Sequence, residues 1–238
     1  MLKILRTLYF PISILLVSLI AIPLSLLRPR SYKNTGLYLN IFKFFSIPMG
    51  IRFKVQNKEI LTTNLPAIVI GNHQHNFDII VASEIFNHRI VSLGKKELIY
   101  VPFFGLIFWL AGNIFVNRGN KKSSQRTMGK IKEYLLKNGL GIVIFPEGHR
   151  NNKKDLLDFK KGAFITAIES QLPLIIFAVS RYTDQLNLNK VISGEVHINF
   201  LPPISTKGLT LEDMPNLIEK CKTLLSDEIE RLNRNNQG

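Results

Sequence analysis

Cysteine is almost missing from this chain. Cys221 is the sole one in 238 residues, which excludes an internal disulfide and any cysteine-rich metal centre. A single thiol fits a catalytic domain kept in a reducing compartment. Acidic residues are scarce too: 17 Asp and Glu stand against 31 Lys and Arg, a formal net charge of +14. A balance this basic calls for a polyanionic partner, either nucleic acid, an anionic membrane face or phosphorylated substrates. Nucleic acid lacks support, because the chain has no zinc-finger spacing, no RNP-like aromatic motif and no basic helix with regularly spaced base-reading residues. The basic residues are scattered in small pairs, Lys95-Lys96, Lys121-Lys122 and Lys160-Lys161, so part of the charge is a solubilising surface. No Gly-x-Ser-x-Gly elbow occurs, and nothing marks a protein nucleophile. Internal repeats and long linkers are also missing.

Apolar residues are plentiful. They make up 46% of the chain, which excludes a disordered or low-complexity protein and allows a real core. The N-terminus, MLKILRTLYFPISILLVSLIAIPLSLLRPR, holds an uncharged stretch over residues 8–27. That is about the 20 residues needed to cross a bilayer core. A signal peptide has a shorter apolar region and a small-x-small cleavage site, and IPLSLLRPR is a poor one. The segment is therefore read as retained. Lys3 and Arg6 precede it while Arg28, Arg30 and Lys33 follow it, so charge gives no orientation. Pro11 and Pro23 can each bend a helix. A second apolar stretch, residues 37–53, is broken by Lys43 and Pro48. Three arrangements stay open: a single span, a helical hairpin dipping into one leaflet with both ends cytoplasmic, or a buried core helix. Residues 1–55 form this membrane-anchoring segment or hairpin, and residues 56–238 the catalytic domain.

Past residue 55 short β-rich runs alternate with helical ones. Strands are expected at 67–71, 90–94, 113–118, 141–145, 173–181 and 195–204. Helices are expected at 77–86, 101–112 (with Pro102 in its first turn), 123–139 (capped by Ser123 or Ser124 and closed by Gly139), 160–171 and 209–234. This alternation predicts an α/β fold, a mostly parallel central sheet flanked by helices. In such sheets ligands bind beyond the carboxyl ends of strands. Three polar stretches follow apolar strands there: GNHQHNFD, NRGNKK and PEGHRNNKK.

In GNHQHNFD, residues 71–78, His73 and Asp78 stand five positions apart. On one continuous helix that offset is about 140°, so they would not share a face. With His73 in the strand-to-helix turn and Asp78 in the first helical turn, the carboxylate can approach the ring. It then fixes the tautomer, and the other ring nitrogen is free to take a proton from a hydroxyl. The alternative is a polar turn with a first-turn acid favoured by the helix dipole, and spacing alone leaves it open. A metal site fits poorly. HxHxxD departs from the HxHxDH signature of metallo-β-lactamases, only His88, His149 and His197 remain as distant ligands, and a zinc hydrolase needs three. Arg118 at a strand end suits bidentate phosphate binding, though a surface arginine reads the same. In FPEGHR, residues 145–150, Pro146 and Gly148 fix a turn, Glu147 can accept hydrogen bonds from substrate hydroxyls, and Arg150 adds positive charge.

In order, NHQHNFD, GNIFVNR, FPEGHR and LPLIIFAV resemble the four motif blocks of the glycerolipid acyltransferases. More narrowly, the chain is similar to the bacterial 1-acyl-glycerol-3-phosphate acyltransferases, a likeness strengthened by residues 94–113 and by FKKGAF. The resemblance runs from the N-terminus to about residue 203. It implies that His73 is the general base and Asp78 its orienting partner. It implies that Arg118 binds the glycerol phosphate, that Glu147 and Gly148 help hold the acceptor, and that Pro173 opens the block shaping the site. Lys95 matches a basic position between blocks. Two departures stand out: His149 replaces the usual threonine, and Ile176 replaces a second proline. His75 occupies a variable position, expected to meet solvent or acceptor.

The implied reaction transfers an acyl group from acyl-CoA or acyl-carrier-protein to the sn-2 hydroxyl of 1-acyl-glycerol-3-phosphate, a membrane lysolipid, giving phosphatidic acid. No cofactor or metal is required. The expected location is the cytoplasmic (inner) membrane, with the catalytic domain on the cytoplasmic side, where the donors occur and the basic surface meets anionic lipid. Alternatives are another acceptor (glycerol-3-phosphate or another lysolipid), a membrane-bound metallohydrolase, and a non-catalytic lipid-binding relative.

Overall fold

A computed structural model of the chain describes residues 1–86, 89–116, 121–151, 153, 155–183 and 185–235, with side chains 121–129 and 235 excepted. The chain divides into two compact units, one of residues 1–51, 79–130 and 187–193, the other of 52–78, 131–186 and 194–238. The fold is α/β, as the alternating pattern predicts.

In the second unit the longest apolar runs become strands buried on both faces. They are β2 (Ala67–Gly71), β5 (Gly141–Ile144) and β6 (Leu174–Val179). Continuous β-branched runs of this kind belong in a parallel sheet covered by helices. β5 and β6 indeed flank β2, both parallel to it, with Val69 opposite Val143 and Ile175. β7 (Gly194–Phe200) pairs antiparallel with β6, and β1 (Ile51–Gln56) follows it, giving the order β1-β7-β6-β2-β5. β1 alternates half-buried and exposed residues, as an edge strand with one wet face should.

The helices α7 (Gly162–Ser170) and α8 (Met214–Asn235) close over this sheet. α8 buries Leu217, Cys221, Leu225, Ile229 and Leu232, a stripe at helical spacing. It begins at Met214 rather than at 209, because Asp213 Oδ2 accepts bonds from the Thr210 amide and hydroxyl and forms a turn first. A short helix, α3 (Glu59–Thr63), joins β1 to β2. The helix α6 (Lys121–Asn138) starts before Ser123 and Ser124, so neither is its cap. Gly139 follows it at φ +61°, the left-handed residue that ends many helices.

The first unit contains α1 (Leu2–Leu26), α2 (Lys33–Ser46), all but the first residue of α4 (Asp78–Ile85), α5 (Phe104–Leu110) and a parallel pair of strands, β3 (Ile90–Lys95) and β4 (Ile114–Val116). α5 starts after Pro102, not with it. Phe103 adopts φ +61°, and Gly105 sits so close to the carbonyl oxygens of Leu98 and Ile99 that a Cβ would meet them at 2.5 Å. Both prolines of α1 lie inside a continuous helix.

α1 is inside out. Its buried residues are small or polar (Ser13, Val17, Ser18, Ala21, Ser25), while Ile4, Leu5, Leu8, Ile12, Leu15, Leu19, Ile20 and Leu24 are exposed. The serines satisfy themselves on their own helix, each bonding a carbonyl one turn back at 2.6 Å. The small faces let α1 lie close along α2 and α5. Arg6 is the exception on this helix. It is buried, and its guanidinium donates to the carbonyls of Pro48, Leu188, Lys190 and Val191 and to Ser193 Oγ at 2.6–3.1 Å. Those bonds tie the start of the helix to the 187–193 segment.

Candidate active site

β2, β5 and β6 lie side by side and parallel, so their carboxyl ends come out together. β2 delivers Asn72 to Asp78, β5 delivers Phe145 to Asn151, and β6 delivers Ser180 to Tyr182. The polar stretches after β2 and β5 are thus brought together, as the crevice rule expects. The third stretch, NRGNKK, lies largely outside the described residues, and Arg118 with it. The segment after β6, which carries no motif in the sequence, takes the third place at this end of the sheet.

Gly71 permits the exit from β2. A Cβ there would fall 2.5 Å from the Phe177 ring, so a side chain would push the strand off β6. The chain then turns, and α4 begins at Asp78, whose amide donates to the His75 carbonyl. This places the carboxylate at a helix start, where the dipole favours its charge. It reaches back over the turn. Asp78 Oδ2 lies 2.5 Å from His73 Nδ1 and also accepts the amides of Gln74 (2.8 Å) and His75 (3.1 Å). Asp78 Oδ1 accepts the hydroxyl of Tyr182. The His73 ring stacks on Phe145 with centroids 4.2 Å apart and planes inclined by 17°. With Nδ1 committed to a carboxylate, Nε2 is the nitrogen left for chemistry. The His73 side chain is 21% exposed, so solvent reaches it.

Glu147 is 1% exposed and faces protein. Its carboxylate accepts the His73 amide (3.4 Å), the Asn151 side-chain amide (2.9 Å) and the Leu157 amide (3.0 Å). Asn151 in turn donates its own amide to the His73 carbonyl at 2.7 Å. The loops after β2 and β5 are therefore locked through Glu147 and Asn151. A buried carboxylate needs such partners, and three donors supply them. Gly148 sits at φ +78° and its amide closes a turn on the Phe145 carbonyl at 3.1 Å. Arg150 and His149 are exposed on the same turn. His75 is half-buried, with its ring nitrogen Nδ1 accepting the Phe77 amide at 3.3 Å. Lys95, at the exposed end of β3, belongs to the other unit. Among the described residues no group of three or more His, Cys, Asp or Glu is placed to hold a metal ion.

Sequence reasoning missed Tyr182, Asn151 and Gln74. Gln74 Nε2 donates to the Ser180 carbonyl at 3.0 Å, and Asn72 exchanges two 2.9 Å bonds with the Val179 backbone. Only the polarity of NHQHN pointed toward such ties, and nothing in the sequence marked Tyr182. Burial, then the charge of Asp78 and the bond to it, raise the Tyr182 pKa well above the ordinary tyrosine value, against a smaller opposing pull from Arg150. The phenol keeps its proton.

Residues 52–180 match the family model described as Acyltransferase. The 1-acyl-sn-glycerol-3-phosphate acyltransferase of Haemophilus influenzae is 34% identical over 236 residues, covering 98% of this chain and 97% of that one. The enzyme of the same name from Escherichia coli is 32% identical over 209 residues, covering 88% and 85%. In structure the chain is similar to the crystal structure of the 1-acyl-sn-glycerophosphate (LPA) acyltransferase PlsC from Thermotoga maritima. The TM-score is 0.67 at 19% identity, with 98% of each chain covered, a likeness of fold.

Proposed function

The chain belongs to the acyltransferase family, and on that premise we propose that it acylates the sn-2 hydroxyl of 1-acyl-glycerol-3-phosphate from a thioester donor, forming phosphatidic acid. One observation carries the mechanism: His73 Nδ1 is held by Asp78 at 2.5 Å while its ring remains reachable. His73 Nε2 takes the proton of the acceptor hydroxyl as that oxygen attacks the thioester carbonyl. The tetrahedral intermediate collapses, the carbon–sulfur bond breaks, and the imidazolium returns the proton to the departing thiolate. Asp78 stabilises the imidazolium throughout. Glu147 and Gly148 hold the acceptor side by fixing the loop after β5. Arg150 offers positive charge on the turn after β5, and the family resemblance gives Arg118 the binding of the phosphate. The donor is acyl-CoA or acyl-carrier-protein, and no cofactor enters the reaction.

The inside-out face of α1 suits contact with lipid, since only 22% of its most apolar window is buried. α1 packs along α2 and α5, and α2 carries the Lys43–Glu84 ion pair at 2.6 Å, so α1 does not cross a bilayer free of its neighbours. α2, at 14 residues, is about 21 Å long and too short to span the core. This favours a hairpin seated in one leaflet, the cytoplasmic one, over a span.

The test is a donor-by-acceptor matrix on the purified protein in detergent, with phosphatidic acid as the measured product. Turnover with 1-acyl-glycerol-3-phosphate that survives a chelator and disappears in His73→Ala supports the reading. Turnover that survives in His73→Ala, or that a chelator removes and zinc restores, overturns it.

A further inference from the structure

The residue after β6 that reaches into the dyad has a role of its own. Tyr182 is 1% exposed, yet it carries a hydroxyl where a phenylalanine would fill nearly the same space. A buried hydroxyl without a partner costs about 1–3 kcal/mol, so the site of its bond matters. That bond runs to Asp78 Oδ1, the one carboxylate oxygen that His73 does not use. The other oxygen already accepts three donors, the His73 ring and two amides.

Tyr182 is itself held firmly. Its amide donates to the Ser180 carbonyl at 2.8 Å, and its carbonyl accepts the amides of Gln185 (3.1 Å) and Leu186 (3.0 Å). The strand end before it is tied to the His73 loop through Asn72 and Gln74. The phenol thus reaches Asp78 from a backbone registered to the same loop. Rotation of the carboxylate about Cβ–Cγ would break the tyrosine bond along with the histidine bond.

Resting on the reading of His73 as base, we infer that Tyr182 is a positioning residue for the acyl transfer, clamping Asp78 Oδ1 so that Oδ2 stays on His73 Nδ1. The dyad is the inner part of a three-member chain, Tyr182–Asp78–His73. Tyr182 touches neither substrate and transfers no proton. It acts only by restricting where Asp78 points. Arg150 also acts on the phenol, opposing more weakly the effect of burial and of Asp78.

The experiment is a double-mutant cycle on the full chain in detergent, with 1-acyl-glycerol-3-phosphate and acyl-CoA. Tyr182→Phe lowers kcat about 10-fold while KM for both substrates stays within about twofold, because only an interaction with the base is lost. In an Asp78→Asn background the same change alters kcat by less than about twofold, because the two residues act as one unit. Equal losses in both backgrounds, or a lowered Tm with kcat unchanged, overturn the proposal. If Tyr182→Phe does not purify folded, 3-fluorotyrosine at 182 keeps the ring and strengthens the donor. It must then change kcat in the Asp78 enzyme and not in Asp78→Asn, and an equal response in both overturns the proposal. His73→Ala separates the two failures: activity that survives it sinks the reading of the base, whereas activity lost in it beside an additive cycle sinks only the role of Tyr182.

Discussion

The loops beyond β2, β5 and β6 and the helix α1 invert each other's rules. In the loops polar side chains are buried: Asn72, Gln74, Glu147 and Asn151 are each less than a tenth exposed, and each has hydrogen-bond partners. On α1 apolar side chains are exposed along the whole length, with leucine at 8, 15, 19 and 24 facing out. Buried polar groups and exposed apolar surface are the two informative departures from ordinary burial. The first marks a place where geometry must be held for chemistry. The second marks a face suited to an apolar surrounding, the lipid contact proposed above.

The comparison breaks most visibly at the base. His73→Ala lowers kcat about 10²- to 10⁴-fold, the range for a positioned general base, with circular dichroism unchanged. A loss below tenfold would put the chemistry elsewhere. Next in size is the proposed lipid face of α1. Replacing Leu8, Leu15 and Leu19 together by Asp adds about 2.5–3.5 kcal/mol per residue wherever the side chain meets the bilayer centre, and less nearer the interface. The triple variant stays in the supernatant on flotation with anionic vesicles, while the parent floats. Co-flotation of the variant would show that the face meets something other than lipid.

The sheet was largely legible because its central strands are continuous apolar runs, which leave few other readings. β1 was not, because the alternating IRFKVQ merges with the apolar stretch before it. The contact of His73 with Asp78 was one of two readings that a strand-to-helix turn allowed, and the family resemblance rather than the spacing chose it over a plain polar turn. The partners of Glu147 were not: spacing suggested a carboxylate facing substrate hydroxyls, whereas three protein donors surround it. Tyr182 gave no signal at all, since its bond to Asp78 spans 104 positions and depends on the parallel register of β2 and β6.

Smaller effects sharpen the contrast. Glu147→Ala leaves the Asn151 and Leu157 donors unmet and destabilises by about 2–4 kcal/mol, read as a lower Tm, with Glu147→Gln milder. Arg6→Met tests the one buried charge of α1. It strips four carbonyls and Ser193 of their donor and lowers Tm by several degrees, about 1–3 kcal/mol, without touching the dyad. The smallest effect belongs to Cys221. Burial pushes its thiol up to about 12 against a small pull from Lys220, so maleimide leaves the folded protein unlabelled at pH 8 and labels it only after denaturation.

The most direct test of the central claim is single-turnover phosphatidic acid formation from 1-acyl-glycerol-3-phosphate and acyl-CoA or acyl-carrier-protein, comparing the parent chain with Asp78→Asn. Substrate affinity is retained while the transfer step slows about 100-fold or more, because His73 loses the carboxylate that sets its tautomer. An unchanged transfer step would contradict the claim.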